Sequence, residues 1–198
     1  MYCGRTASTC HEDAIGTTTP YHPRASYIEG KRSGETMCNT FRSQGVRAIS
    51  ARLGDVYGPG TRQHDTRALN AFIEKALFHQ KIDLLDFGTA IRTYGYIADA
   101  LELLINILFY GKQAVYNVGG HSHTTIAALA TMIGEITHTP VIFPSREMRV
   151  DGSPDILPLN LNRVETEFGK TDYITLSEGL TRTIAWQREL YDMAQVPA

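Results

Sequence analysis

Residues 46–53 constrain the fold of this chain most. Val46, Ala48, Ile49, Ala51 and Leu53 make the run largely apolar, and Gly54-Asp55-Val56-Tyr57-Gly58-Pro59-Gly60 stops it at once. A short apolar run closed by glycine and proline reads as a strand inside a covered sheet. Helical periodicity stands on both sides of it. Residues 26–43 open at Ser26, a good N-cap, and end before Gly45. Residues 66–78 place Leu69, Phe72, Ile73, Ala76 and Leu77 on one face. Further helices are predicted over 98–109, 124–137, 162–168 and 177–191, and strands over 82–85, 114–118 and 141–143. Residues 92–97 are extended, and residues 1–26 and His121-Ser122-His123 read as loops. Strands separated by helices indicate an α/β fold.

Composition narrows the class of function. The chain has 198 residues, 42% hydrophobic and 20% charged, as expected of a globular protein with a real core. A net charge of −2 gives no electrostatic reason for a nucleic-acid or membrane partner. The longest apolar stretch, 100–110, is broken by Glu102 and Asn106 and is far shorter than a bilayer span. The first residues carry no apolar signal region, so a cytoplasmic location is expected. Cys3, Cys10 and Cys38 form neither a disulfide framework nor a metal-ligand pattern, and no metal site is expected; Cys38 falls in a helical pattern as a small core residue.

The chemistry begins at Tyr27-Ile28-Glu29-Gly30-Lys31. A tyrosine and a lysine four residues apart lie one turn apart on one helix face. An ammonium near a phenol favours the phenolate, which makes the tyrosine an acid/base for a sugar or alcohol hydroxyl. The spacing alone is common in helices. Its surroundings add weight: Pro23-Arg24 before it, Arg32 and Glu35 after it, then Ala51-Arg52-Leu53-Gly54-Asp55-Val56-Tyr57-Gly58-Pro59-Gly60, Arg92-Thr93-Tyr94-Gly95-Tyr96-Ile97-Ala98-Asp99, Tyr116-Asn117-Val118-Gly119-Gly120 and Ser153-Pro154-Asp155-Ile156.

In that order these blocks resemble the extended short-chain dehydrogenase/reductases, the NAD-dependent epimerases and dehydratases of nucleotide sugars. The P-R-x-x-Y-x-x-G-K-R block is most similar to the UDP-glucuronate decarboxylase branch. The resemblance implies a partial Rossmann-like fold: the C-terminal part of the parallel sheet plus a smaller α/β substrate-binding domain. Residues 1–60 would be the remnant of the NAD-binding domain. Residues 61–198 would mostly bind the nucleotide sugar, with 93–120 returning a strand to the main sheet.

The resemblance also implies roles. Tyr27 would exchange the proton of a sugar hydroxyl while hydride passes to NAD, and Lys31 would hold the nicotinamide ribose. Leu53 would sit against the nicotinamide. Leu84 and Leu85 would cradle the base. Arg24 would face the substrate, and Arg92 and Arg149 would grip its phosphates, as guanidinium does bidentately. The position of Asp55 is usually an asparagine near the substrate diphosphate; an aspartate there repels phosphate unless it is paired or protonated.

No G-x-x-G-x-x-G segment occurs in the chain. Such a loop seats a cofactor diphosphate at a helix N-terminus. The resemblance places that half, and the family's catalytic Ser or Thr, before residue 1. The apolar faces of the retained strands are then expected to be exposed, unless a homo-oligomer or an upstream half on another chain covers them. The resemblance implies one of two functions: a nucleotide-sugar epimerase, dehydratase or decarboxylase, or a non-catalytic nucleotide-sugar-binding or assembly module.

Overall fold

The computed structural model describes residues 9–62, 64–146 and 159–194. The elements follow in the order α1 (Ala25–Ser43), β1 (Ser50–Leu53), β2 (Asp55–Tyr57), α2 (Ala68–Glu74), β3 (Ile82–Asp83), β4 (Ile91–Tyr96), α3 (Ile97–Tyr110), β5 (Val115–Val118), β6 (Ser122–Thr125), α4 (Ile126–Thr137), β7 (Val141–Ile142), α5 (Asn162–Phe168) and α6 (Leu176–Ala194). A wider π-type turn, Lys75–His79, extends α2.

Among the described residues, strands pair into three small sheets. β1 and β5 run parallel, with Ser50 opposite Val115 and Leu53 opposite Val118. β2 runs parallel to β4, and β6 adds antiparallel on its other side. β3 and β7 form a short parallel pair. The α/β class expected from the sequence is what the chain adopts, with parallel strands joined through helices.

Two cores hold these sheets. On the first, α3 buries Ala100, Leu103 and Ile107 against Tyr116 and Val118 of β5, with Leu161 and Val164 closing the cluster. On the second, Tyr57, Tyr94 and Tyr96 meet Leu69, Phe72 and Ile73 of α2, Leu129 and Ile133 of α4, and Leu180 and Ile184 of α6. The tyrosine rings pack edge to face, Tyr57 to Tyr96 at 5.7 Å and Tyr57 to Tyr94 at 6.2 Å between centroids.

Glycines let the two sheets approach. A Cβ on Gly95 would lie 2.7 Å from the carbonyl carbon of Gly119, and one on Gly120 would collide with the carbonyl oxygen of Tyr94. Backbone on both sides leaves no flexible atom to yield. Gly120→Ala should therefore cost about 2 kcal/mol of stability in urea denaturation, within the range for overpacking; an unchanged midpoint would contradict the close approach.

Three elements differ from the sequence reading. The β1 ladder starts at Ser50, because residues 46–48 bond locally: Val46 N donates to Phe41 O and Ala48 N to Val46 O. Of His121-Ser122-His123, expected as loop, Ser122 and His123 instead form the start of β6 and pair with Tyr94 and Thr93 of β4, while His121 stays outside the strand. That pairing delays α4 to Ile126, where Thr125 Oγ1 caps the helix by accepting from Ala128 N at 3.0 Å. Val46 and Leu53 are exposed, as are Leu101, Ile105 and Leu108 along one face of α3. Among the described residues no helix is long and apolar enough to cross a membrane.

Candidate active site

α1 begins at N-cap Arg24, with no side-chain cap; Ser26, the expected cap, lies inside the first turn. Positions 27, 31 and 35 share one helix face. Tyr27 is 55% exposed while its neighbour Ile28 is fully buried, so the helix presents the phenol outward on an anchored turn. Two cations lie against the ring. Lys31 Nζ is 5.5 Å from its centroid and Arg24 Cζ 5.2 Å. They attract the ring face, and an oxyanion formed on the hydroxyl would develop in their positive field.

A half-buried ion pair fastens this face of α1 to the sheet. Arg52 of β1 grips Glu35 in two parallel bonds, Nε to Oε1 at 2.5 Å and Nη2 to Oε2 at 2.8 Å. The Arg52 side chain is only 10% exposed. Its Nη1 donates to the carbonyl of Glu12 at 2.9 Å. Glu12 is itself buried, and its Oε1 accepts from Asn117 N on β5 at 2.9 Å. Asn117 Nδ2 completes the knot by donating to the carbonyls of Cys10 and Asn160. Glu12 and Arg52 do not stand out as site residues in the sequence. The available signal is a charged side chain inside an apolar strand, which demands a partner.

Beyond Arg52 the chain runs to Leu53, 56% exposed at the strand end, and then to Asp55, the first residue of β2. Register places Asp55 opposite Tyr94, so Asp55, Tyr94 and Arg92 share one face of the β2–β4 pair. Asp55 is exposed to solvent. Desolvation pushes its carboxyl above the usual range, and the Arg92 and Arg67 guanidinium groups pull it back down. Burial also raises the Tyr94 hydroxyl, with Asp55 adding to the rise and Arg92 opposing it. Arg67 is held by Asp65 through Nε at 3.0 Å and Nη2 at 2.7 Å. That hydrogen bonding lowers the Asp65 carboxyl to about 2.

The structure thus gathers Arg24, Tyr27 and Lys31 at the start of α1, and Asp55 and Arg92 on the β2–β4 face. Leu84 and Leu85 part company: Leu84 is 6% exposed within the second core, and Leu85 is 69% exposed. Arg149 lies outside the described residues. His121 bonds Glu165 at 2.5 Å and stacks edge-on against Tyr173. Among the described residues no group of three His, Cys, Asp or Glu could hold a metal ion.

Comparison with known proteins gives this geometry a context. UDP-glucuronic acid decarboxylase 1 of Danio rerio is 28% identical over 190 residues, covering 93% of this chain and 44% of the relative. The dTDP-4-dehydro-6-deoxy-D-allose reductase of Streptomyces bikiniensis is 27% identical, covering 95% of this chain and 58% of the relative. Among solved structures, UDP-glucuronic acid 4-epimerase from Bacillus cereus, in complex with UDP-glucuronic acid and NAD, superposes with a TM-score of 0.79 at 24% identity, over 95% of this chain and 59% of that one. The chain therefore spans about half the length of the relatives it matches. Residues 4–119, more than half of the chain, match the family described as "NAD dependent epimerase/dehydratase family", and the chain belongs to that family.

Proposed function

We propose that this chain supplies the substrate-facing part of a nucleotide-sugar epimerase, dehydratase or decarboxylase, with Tyr27 as its acid/base. The observation that carries the reading is the exposed Tyr27 ring with Arg24 and Lys31 against it, fastened through Glu35–Arg52 to a strand that leads into Asp55 and Arg92. Tyr27 takes the proton of a sugar hydroxyl as that carbon is oxidised and returns it on reduction. Lys31 would hold the ribose hydroxyls of the cofactor, and it keeps positive charge at the tyrosine. Arg92 pairs with the substrate diphosphate, and exposed Leu85 offers an apolar surface to the base.

NAD fits one end of this arrangement. Tyr27, Lys31 and Leu53 are all exposed, and Leu53 stands at the carboxyl end of a parallel strand, where α/β sheets bind ligands. Bound there, NAD would supply the hydride acceptor that makes the sugar carbon a ketone. The diphosphate end would need a glycine-rich loop, which these 198 residues do not contain. A second reading, a nucleotide-sugar-binding or assembly module without turnover, shares the same substrate-facing groups.

Calorimetric titration with UDP-, dTDP-, GDP- and CDP-glucose tests what both readings share. At least one should bind, and Arg92→Gln should weaken it by about tenfold or more, as expected for loss of a charge-assisted contact. Binding unaffected by Arg92→Gln would remove the proposed substrate orientation.

A further inference from the structure

The β2–β4 face holds more than a phosphate-binding arginine. Asp55 and Arg92 lie diagonal to each other on one sheet face, with Asp55 open to solvent. Arg67, just before α2, acts on the same carboxylate and is itself clamped by Asp65. Counting full charges, Arg92 and Arg67 are balanced by Asp55 and Asp65. The cluster is neutral as it stands, and it gains a positive charge only when Asp55 loses its negative one.

We infer that Asp55 is an internal competitor for the substrate diphosphate: its carboxylate takes the place of a phosphate before Arg92 and Arg67, and nucleotide-sugar binding requires it to be displaced or protonated. The inference rests on the nucleotide-sugar reading and assigns a specificity and pH-setting role to a side chain of this particular chain. The groups facing Asp55 are Arg92 and Tyr94 from β4 and Arg67 with its partner Asp65 from the segment before α2. Desolvation favours the neutral acid at this position and the two arginines favour the anion. A bound diphosphate adds negative charge, which favours the neutral acid further. Binding is therefore coupled to proton uptake by Asp55, and affinity rises as pH falls.

The test is calorimetry with the same four nucleoside-diphosphate glucoses, whose phosphodiesters do not titrate between about pH 5 and 8. Asp55→Asn should bind at least about tenfold tighter than wild type near neutral pH, the effect of removing one repelling charge at close range. Wild-type affinity should climb toward pH 5, with proton uptake seen as a buffer-dependent heat, while the Asn variant stays flat. If both proteins bind equally and share one pH profile, the competitor role is wrong and the nucleotide-sugar reading survives. If neither binds any of the four at millimolar concentration, the nucleotide-sugar reading and the inference fall together. Should the variant fail to fold, the wild-type pH profile still decides: affinity that is flat between pH 5 and 8 overturns the competitor role.

Discussion

Arg52→Ala is expected to destabilise the chain by about 1–3 kcal/mol, more than for an exposed pair and less than the roughly 3–5 kcal/mol of a fully buried one, because both side chains are mostly but not wholly shielded. The loss comes from what is left behind. Glu35 would keep a carboxylate that is mostly shielded from water, without the fork that now meets both its oxygens. The Glu12 carbonyl would lose a donor in a segment whose Cys10 carbonyl and Glu12 carboxylate already accept from Asn117. Packing offers little compensation, since Ile28 is the one buried side chain identified on α1. The consequence reaches the site, because Tyr27 and Lys31 share the helix face that this pair secures. Urea unfolding of Arg52→Ala, Glu35→Ala and the double variant provides the check. The double variant should be less destabilised than the sum of the singles, since it strands no charge. A single-variant cost below about 1 kcal/mol would mean the pair behaves as a surface contact.

In a preparation that turns over nucleotide sugar with NAD, the chain alone or together with a protein that supplies the glycine-rich half, Tyr27→Phe should lower that turnover by about 10²–10⁴-fold, the range for a lost general acid/base. The variant removes one oxygen from an exposed ring, so folding and the Arg24 and Lys31 ring contacts should persist. Affinity for the nucleotide sugar, governed by the β2–β4 face, should stay within about twofold, which separates a transition-state role from uniform binding. Equal turnover in the two proteins would take the proton transfer away from Tyr27.

Local pattern made much of the fold legible. α5 spans Asn162–Phe168, as its periodicity predicts, and α1 starts one residue before the expected position. What pattern could not give was long-range pairing. Thr124 and Thr125 fit a helix start, yet they lie in β6 because Arg92 and Ile91 of β4 pair with them. Residues 46–49 look like strand, but Val46 N bonds back to Phe41 at the end of α1 and Ala48 N bonds locally to Val46. The site shows the same division. Tyr27 and Lys31 could be paired from spacing, because the helix itself brings them together. Glu35 and Arg52 are seventeen residues apart, and Glu12 and Asn117 are separated by 105, so only the folded chain joins them. Leu84 and Leu85 are adjacent and equally apolar in sequence; the short β3–β7 pair turns one into the core and the other outward.

Hydrogen exchange in the presence of a saturating nucleotide sugar, without NAD, tests the central claim most directly, since it locates binding without substitutions. Slowed exchange is expected at 53–57 and 85–92, the strand end and the approach to Arg92, with α3 and α6 unchanged. Protection confined to α3 and α6, or no change at any segment under saturating ligand, would contradict the assignment of this face to the nucleotide sugar.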